Sequence, residues 1–158
     1  MRAPTPSQTV GPFFGFALPF ENDANATSGE SRDAIRVEGQ VLDGAGEPVP
    51  DALVEAFQAD QFARCRTDGE GAFHLTLRMP VVSDGAPCFE ITVFARGLLR
   101  HLSTRMYFSD QEKANRADRV LRLVDESRRH TLIARRDGDV VHFDIRLQGQ
   151  GETVFFAL

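Results

Sequence analysis

The 158-residue chain carries 13 Phe but a single Tyr and no Trp, and its 18 basic residues against 23 acidic ones give a formal net charge of −5. One domain of about 100–200 residues accounts for that length, and a chain of this size buries about 68–70% of its unfolded surface, so its core needs neither disulfide nor structural metal. The acidic balance argues against nucleic acid, whose phosphates require a basic face, and no run approaches the roughly 18 apolar residues of a membrane span.

Residues 1–34 stand apart from the rest. Val10–Phe20 is apolar but interrupted by Pro12 and Pro19, and it has neither a helical nor a strand period. Followed by Ala24-Asn25-Ala26 it superficially resembles a secretory leader. Arg2 is its only basic leading residue, however, and Glu21-Asn22-Asp23 is acidic where a cleavage site should be neutral. A cytoplasmic protein with Cys65 and Cys88 as free thiols is expected. Phe13, Phe14 and Phe16 in an irregular arm need burial, either as a cap on this domain or against another subunit. The polar stretch Glu21–Asp33 reads as a loop or linker.

From residue 35 onward the pattern is alternation broken by turns. Ile35, Val37 and Val41 alternate with polar residues before the turn Asp43–Gly46. Leu53–Phe57 is a nearly continuous apolar run, as expected of a strand covered on both faces. After Thr67–Gly71, Phe73, Leu75, Leu77 and Met79 define one face and His74, Thr76 and Arg78 the other. Phe89, Ile91 and Val93 oppose Glu90 and Thr92, and Met106–Phe108 is a further apolar run. Gln111–Ala117 and Glu126–Arg129 favour short helices. Val141, Phe143, Ile145 and Leu147 form a last alternating strand, and Thr153–Phe156 closes the chain. The fold class expected is all-β, an antiparallel β-sandwich over residues 35–158 with an irregular N-terminal arm and linker over 1–34 and one or two short helices.

Chemistry is sparse. His74, His101, His130, His142, Cys88, Glu90 and Tyr107 are the metal-ligand candidates, and none falls in a paired-histidine spacing. No nucleophile elbow or phosphate loop occurs. Arg96, Arg100 and Arg105 surround an apolar stretch. Gly97 follows Arg96 and permits close backbone approach, and arginine is suited to gripping a carboxylate.

Four strings are more specific: Thr5-Pro6-Ser7-Gln8-Thr9-Val10-Gly11-Pro12-Phe13, Val93-Phe94-Ala95-Arg96-Gly97-Leu98-Leu99, Thr104-Arg105-Met106-Tyr107-Phe108, and the tail from Phe143 to Phe156. Together with Gly39–Gly44 and Gln58-Ala59-Asp60 they resemble the intradiol ring-cleavage dioxygenase family, and within it the α subunits of the protocatechuate 3,4-dioxygenases, almost end to end. The resemblance implies a β-sandwich and a hetero-oligomer in which a β subunit holds Fe(III) with two tyrosines and two histidines. Here the histidine positions fall at Cys88 and Glu90, and the tyrosine positions near Asp60–Arg66 and Pro80-Val81-Val82, where no Tyr stands. The resemblance therefore implies no metal and no catalytic residue in this chain. It implies instead a substrate-facing wall made by Thr9, Gly11, Pro12 and Phe13 of the arm together with Arg96, which lies near a benzoate-type carboxylate. Phe13 replaces a Tyr common in the family, and the Asp60–Cys88 segment is shorter than usual, so the degenerate pocket is expected to be filled or collapsed. The family's reaction is O₂-dependent intradiol cleavage of 3,4-dihydroxybenzoate to 3-carboxy-cis,cis-muconate. One rival is a transthyretin-like or prealbumin-type binding module, which resembles residues 35–79 alone. The other is a homo-oligomeric enzyme with a metal held by His74, Cys88, Glu90 or His101.

Overall fold

The computed structural model describes residues 4–82 and 84–157. Among them, nine strands form one sheet: β1 (Ala34–Leu42), β2 (Leu53–Gln58), β3 (Gln61–Arg66), β4 (Ala72–Arg78), β5 (Cys88–Phe94), β6 (Leu102–Phe108), β7 (Ile133–Asp137), β8 (Val140–His142) and β9 (Ile145–Arg146). Their order is β3-β2-β5-β6-β7-β8-β1-β4, with β9 beside β1. The all-β class is borne out. The pairing is mixed, since β1–β8, β1–β9 and β6–β7 run parallel while the other pairs are antiparallel.

The sheet curls until its two ends meet. Ile35 and Val37 of β1 and Leu75 and Leu77 of β4 share one buried cluster with Val54 of β2 and Phe89 of β5. Two halves of one sheet thus enclose the core as the layers of a sandwich do. Burial follows the alternation in the sequence, with Phe73, Leu75 and Leu77 inward from β4 and Phe89, Ile91 and Val93 inward from β5. At roughly 25 cal/mol per Å² of apolar area removed from water, these alternating faces supply the main force that holds the curl.

Side-chain and loop hydrogen bonds finish the closure between β3 and β4. The Gln61 amide on β3 receives the Arg78 backbone N–H at 2.7 Å and donates to the Arg78 carbonyl at 3.1 Å. The chain before β1 then links both edges: the Arg64 N–H of β3 reaches the Asp23 carbonyl at 2.7 Å, and Thr76 of β4 exchanges backbone bonds with Ala24 and Ala26. An edge strand left open is a template for aggregation, and residues 23–26 remove that exposure here.

Three local features differ from expectation. β2 is not covered throughout, because Leu53, Val54 and Ala56 are buried while Phe57 is 49% exposed beside the β2–β3 hairpin turn. The last alternating strand is split into β8 and β9. At the break, a Cβ on Gly39 would collide with the Phe143 carbonyl oxygen, and the Asp144 carboxylate takes the Gln40 N–H at 3.0 Å. The arm, expected to be irregular, contains one helical turn, α1 (Phe14–Ala17). The expected helices are present as α2 (Glu112–Ala117) and a 3-10 segment over Glu126–Leu132. No helix among the described residues is long and apolar enough to cross a membrane.

Candidate functional site

Of the residues singled out in the arm, Thr9 is the one that reaches the loop bearing Arg96. Arg96 lies just beyond the end of β5, between buried Ala95 and Gly97, whose φ of 91° places it in the left-handed region that favours glycine. The Gly97 N–H donates to the Thr9 hydroxyl at 2.9 Å, so the arm is fastened beside Arg96. The Arg96 guanidinium pairs with the Asp51 carboxylate, Nη2 to Oδ2, at 2.7 Å. Beyond Thr9 the arm turns, with the Phe14 N–H donating to the Gly11 carbonyl at 3.1 Å, and then enters α1.

That turn divides the arm's aromatic residues. Phe14 is 8% exposed and packs on its own domain, whereas Phe13 and Phe16 are 74% and 72% exposed. The reading as a cap on this domain therefore fits Phe14 but not Phe13 or Phe16. The Arg66 guanidinium lies 4.9 Å over the Phe16 ring, a cation–π contact that holds the ring on the surface instead of burying it. Arg96 and Phe13 are both exposed, and nothing lies within 4 Å of where a Cβ on Gly11 would stand.

The positions expected to be degenerate metal ligands lie on the outer face of β5. Cys88 stands across from Tyr107 and Glu90 across from Arg105 in the β5–β6 register. Glu90 is engaged by Arg105 at 3.3 Å. Tyr107 is fully buried, and its hydroxyl donates to Asp118 Oδ1 at 3.1 Å. Tyr107 anchors a second apolar cluster with Ala86, Leu121 and Leu132, against which Cys88 and Phe156 pack. Burial pushes the Tyr107 phenol well above its ordinary value, and neighbouring Arg105 only partly offsets it. The Cys88 thiol is likewise pushed up by burial, against the pull of Arg105, and stays protonated at neutral pH. An iron site of the tyrosine–histidine kind does not fit these residues.

Histidines do not repair this. His74 on β4 and His142 on β8 flank Glu38 of β1 on the outer face of the other half-sheet, and the His101 ring lies against Phe94. Among the described residues no three His, Cys, Asp or Glu side chains gather closely enough to hold a metal. His74, Cys88, Glu90 and His101 are not brought together. An open groove of about 660 Å³ beside His74 and His142 is lined by opposed charges such as Arg36, Glu38, Arg135 and Asp144, and none of its lining residues belongs to the arm. Cys65 and Cys88 are both free.

Two residues that matter here gave no signal in the sequence. Asp51 and Asp118 are lone aspartates in loops, and only the fold shows one beside Arg96 and the other beneath Tyr107.

No family model matches the chain. Curated relatives do. It is 38% identical to a protocatechuate 3,4-dioxygenase alpha chain of Burkholderia cepacia over 190 aligned positions, which cover 96% of each chain. It is also 38% identical to a protocatechuate 3,4-dioxygenase alpha chain of Pseudomonas putida, over 96% of this chain and 95% of the relative. The 190 positions outnumber the 158 residues here, so the relative carries residues that this chain lacks. Among solved structures, the dioxygenase domain of a dioxygenase carbohydrate-binding protein fusion from Streptomyces sp. SirexAA-E superposes with a TM-score of 0.63 at 23% identity, covering 93% of this chain and 99% of that one. On the identity and coverage of the two curated relatives, the chain belongs to the family of protocatechuate 3,4-dioxygenase alpha chains.

Proposed function

We propose that this chain is the non-iron subunit of a protocatechuate 3,4-dioxygenase, pairing with an Fe(III)-bearing β subunit and forming part of the wall of that subunit's active site. The complex opens the ring of 3,4-dihydroxybenzoate between its two hydroxyl-bearing carbons, and both atoms of O₂ enter the product, 3-carboxy-cis,cis-muconate. Iron, held by the partner, supplies the activation of catecholate and O₂. This chain's own residues contribute recognition: Arg96 pairs with the substrate carboxylate, Thr9 fixes the arm, and Gly11, Pro12 and Phe13 give a stiff apolar boundary to the ring. The observation that carries this assignment is the Thr9–Gly97 hydrogen bond, which ties the arm to the loop that bears Arg96.

A prealbumin-type module accounts for residues 35–79 but leaves the arm and tail without a role, whereas the curated relatives match 96% of the chain. Residues 1–34 as arm and 35–158 as sandwich remain the proposed domain division, and the proposed location is cytoplasmic.

The test is Arg96→Ala in the assembled complex. A hydrogen bond to a charged group contributes about 1.5–3 kcal/mol, and at 1.4 kcal/mol per decade its loss raises KM for 3,4-dihydroxybenzoate about tenfold or more. Steady-state kinetics measures this directly, and an unchanged KM removes Arg96 from the site.

A further inference from the structure

We infer that Asp51 is a positioning residue for substrate recognition: it fixes the direction of the Arg96 guanidinium and leaves most of that group's donors turned outward for the substrate carboxylate. The inference rests on Arg96 facing the substrate and adds the residue that aims it.

Three observations carry it. The first is the ion pair itself, 2.7 Å between Arg96 Nη2 and Asp51 Oδ2, in which the Asp51 side chain is 18% exposed and the Arg96 side chain 59%. The contact is therefore anchored at a sheltered carboxylate, and the guanidinium reaches out from it into open space. The second is the backbone at Asp51, whose φ of 65° is in the left-handed region. Few residues other than glycine adopt it, and aspartate and asparagine are the usual exceptions. Asp51 follows Pro50, which has a fixed φ, and precedes fully buried Ala52 at the entry to β2. A short side chain on so constrained a backbone has little choice of direction. The third is that the Arg96 backbone is already held, by buried Ala95 before it and by the Gly97–Thr9 hydrogen bond after it. Only the long side chain remains free to wander, and Asp51 is the group that stops it.

The chemistry follows from the guanidinium's five N–H donors. Asp51 pairs with the group at Nη2, and among the described residues no other carboxylate pairs with it. A second carboxylate can thus be gripped without displacing the first. Ordering a long side chain opposes binding, and Asp51 supplies that ordering before substrate arrives. The opposing effect is repulsion between Asp51 and the incoming anion. Arg96 lies between the two charges, and in an open site salt screens the repulsion beyond about 8–10 Å, so preorganisation prevails.

The test is Asp51→Asn in the complex with the iron-bearing partner. Asparagine tolerates the left-handed backbone as aspartate does, so the change removes charge without adding strain. KM for 3,4-dihydroxybenzoate is expected to rise roughly two- to fivefold, the range of a partly exposed ion pair, with kcat unchanged. Competitive inhibition by 4-methylcatechol, which has no carboxylate, stays as in the parent. On an Arg96→Ala background, Asp51→Asn has no further effect. An Arg96→Ala complex with raised KM alongside an Asp51→Asn complex with unchanged or lowered KM overturns the role of Asp51 and leaves that of Arg96 standing. An unchanged KM in both overturns the role of Arg96 and this inference with it. Equal weakening of substrate and 4-methylcatechol shows Asp51 to be merely structural and also overturns the inference.

Discussion

Purified without a partner, the chain is expected to carry far less than one iron per molecule, to show no tyrosinate-to-iron absorption in the visible, and to leave 3,4-dihydroxybenzoate uncleaved. Co-expressed with an iron-bearing β subunit, it is expected to co-purify with ring-cleavage activity. The difference is one of presence against absence, because the donors are missing or otherwise employed. The one tyrosine of the chain lies fully buried with its hydroxyl on Asp118, and burial raises its pKa, so ionising it to a ligand is opposed twice over. Cys88 keeps its proton at neutral pH for the same reason. Glu90 is neutralised by Arg105. Opening this face to a metal would also break the apolar cluster around Tyr107. Metal analysis with a visible spectrum settles the matter, and stoichiometric iron with a tyrosinate band in the lone chain contradicts it.

How much of this was legible in the sequence depends on whether a feature is periodic or paired. The inward faces of β4 and β5 were readable because Phe73-x-Leu75-x-Leu77 and Phe89-x-Ile91-x-Val93 carry the two-residue period that a half-buried strand imposes. The exposure of Phe57 is not legible because its apolar character says nothing about a strand that ends one residue later. The residues after it form a tight turn, with Ala59 at φ 50°. The split between β8 and β9 leaves no sequence signal because its cause, the Phe143 carbonyl against Gly39, lies partly on another strand. The same holds for the site. Thr9, Arg96 and Phe13 were named through resemblance, but the bond that ties Thr9 to Gly97 spans most of the domain and has no local pattern. Mixed parallel pairing also leaves no trace in alternation, since both kinds of strand show the same period.

Replacement of Asp118 by alanine is expected to destabilise the fold by about 3–5 kcal/mol, the cost of leaving several buried donors without an acceptor. Asp118 is a lone aspartate in the segment after α2, yet its carboxylate accepts four hydrogen bonds: from Val120 N–H and Leu121 N–H at 2.9 Å, Tyr107 hydroxyl at 3.1 Å and Ala86 N–H at 3.2 Å. It thereby joins β6, the 3-10 turn at Leu121–Leu123 and the approach to β5, three segments that bound the cluster around Tyr107. Alanine leaves a buried phenol and buried amides without acceptors, and each such group costs about 1–3 kcal/mol. At about 2–4 °C per kcal/mol for a domain near this size, the midpoint of thermal unfolding falls by roughly 8–15 °C. Tyr107→Phe removes only one of the four donors and leaves the carboxylate served by three backbone N–H groups, so its cost stays near the net value of one hydrogen bond, about 1 kcal/mol. The pH dependence has a definite sign. Burial raises the Asp118 pKa, but the bonds from Leu121, Ala86, Tyr107 and Val120 outweigh it and hold the group below its usual 3.8. A carboxylate depressed on folding stabilises the folded state fully above its unfolded value, and that contribution is lost as pH falls through the folded one. Urea titrations of parent and Asp118→Ala should therefore differ most above about pH 5, and the gap should narrow in acid below the ordinary carboxylate range. A gap that stays constant down to pH 2, or a loss under 1 kcal/mol at pH 7, would show that the four bonds do not hold the Tyr107 cluster in place.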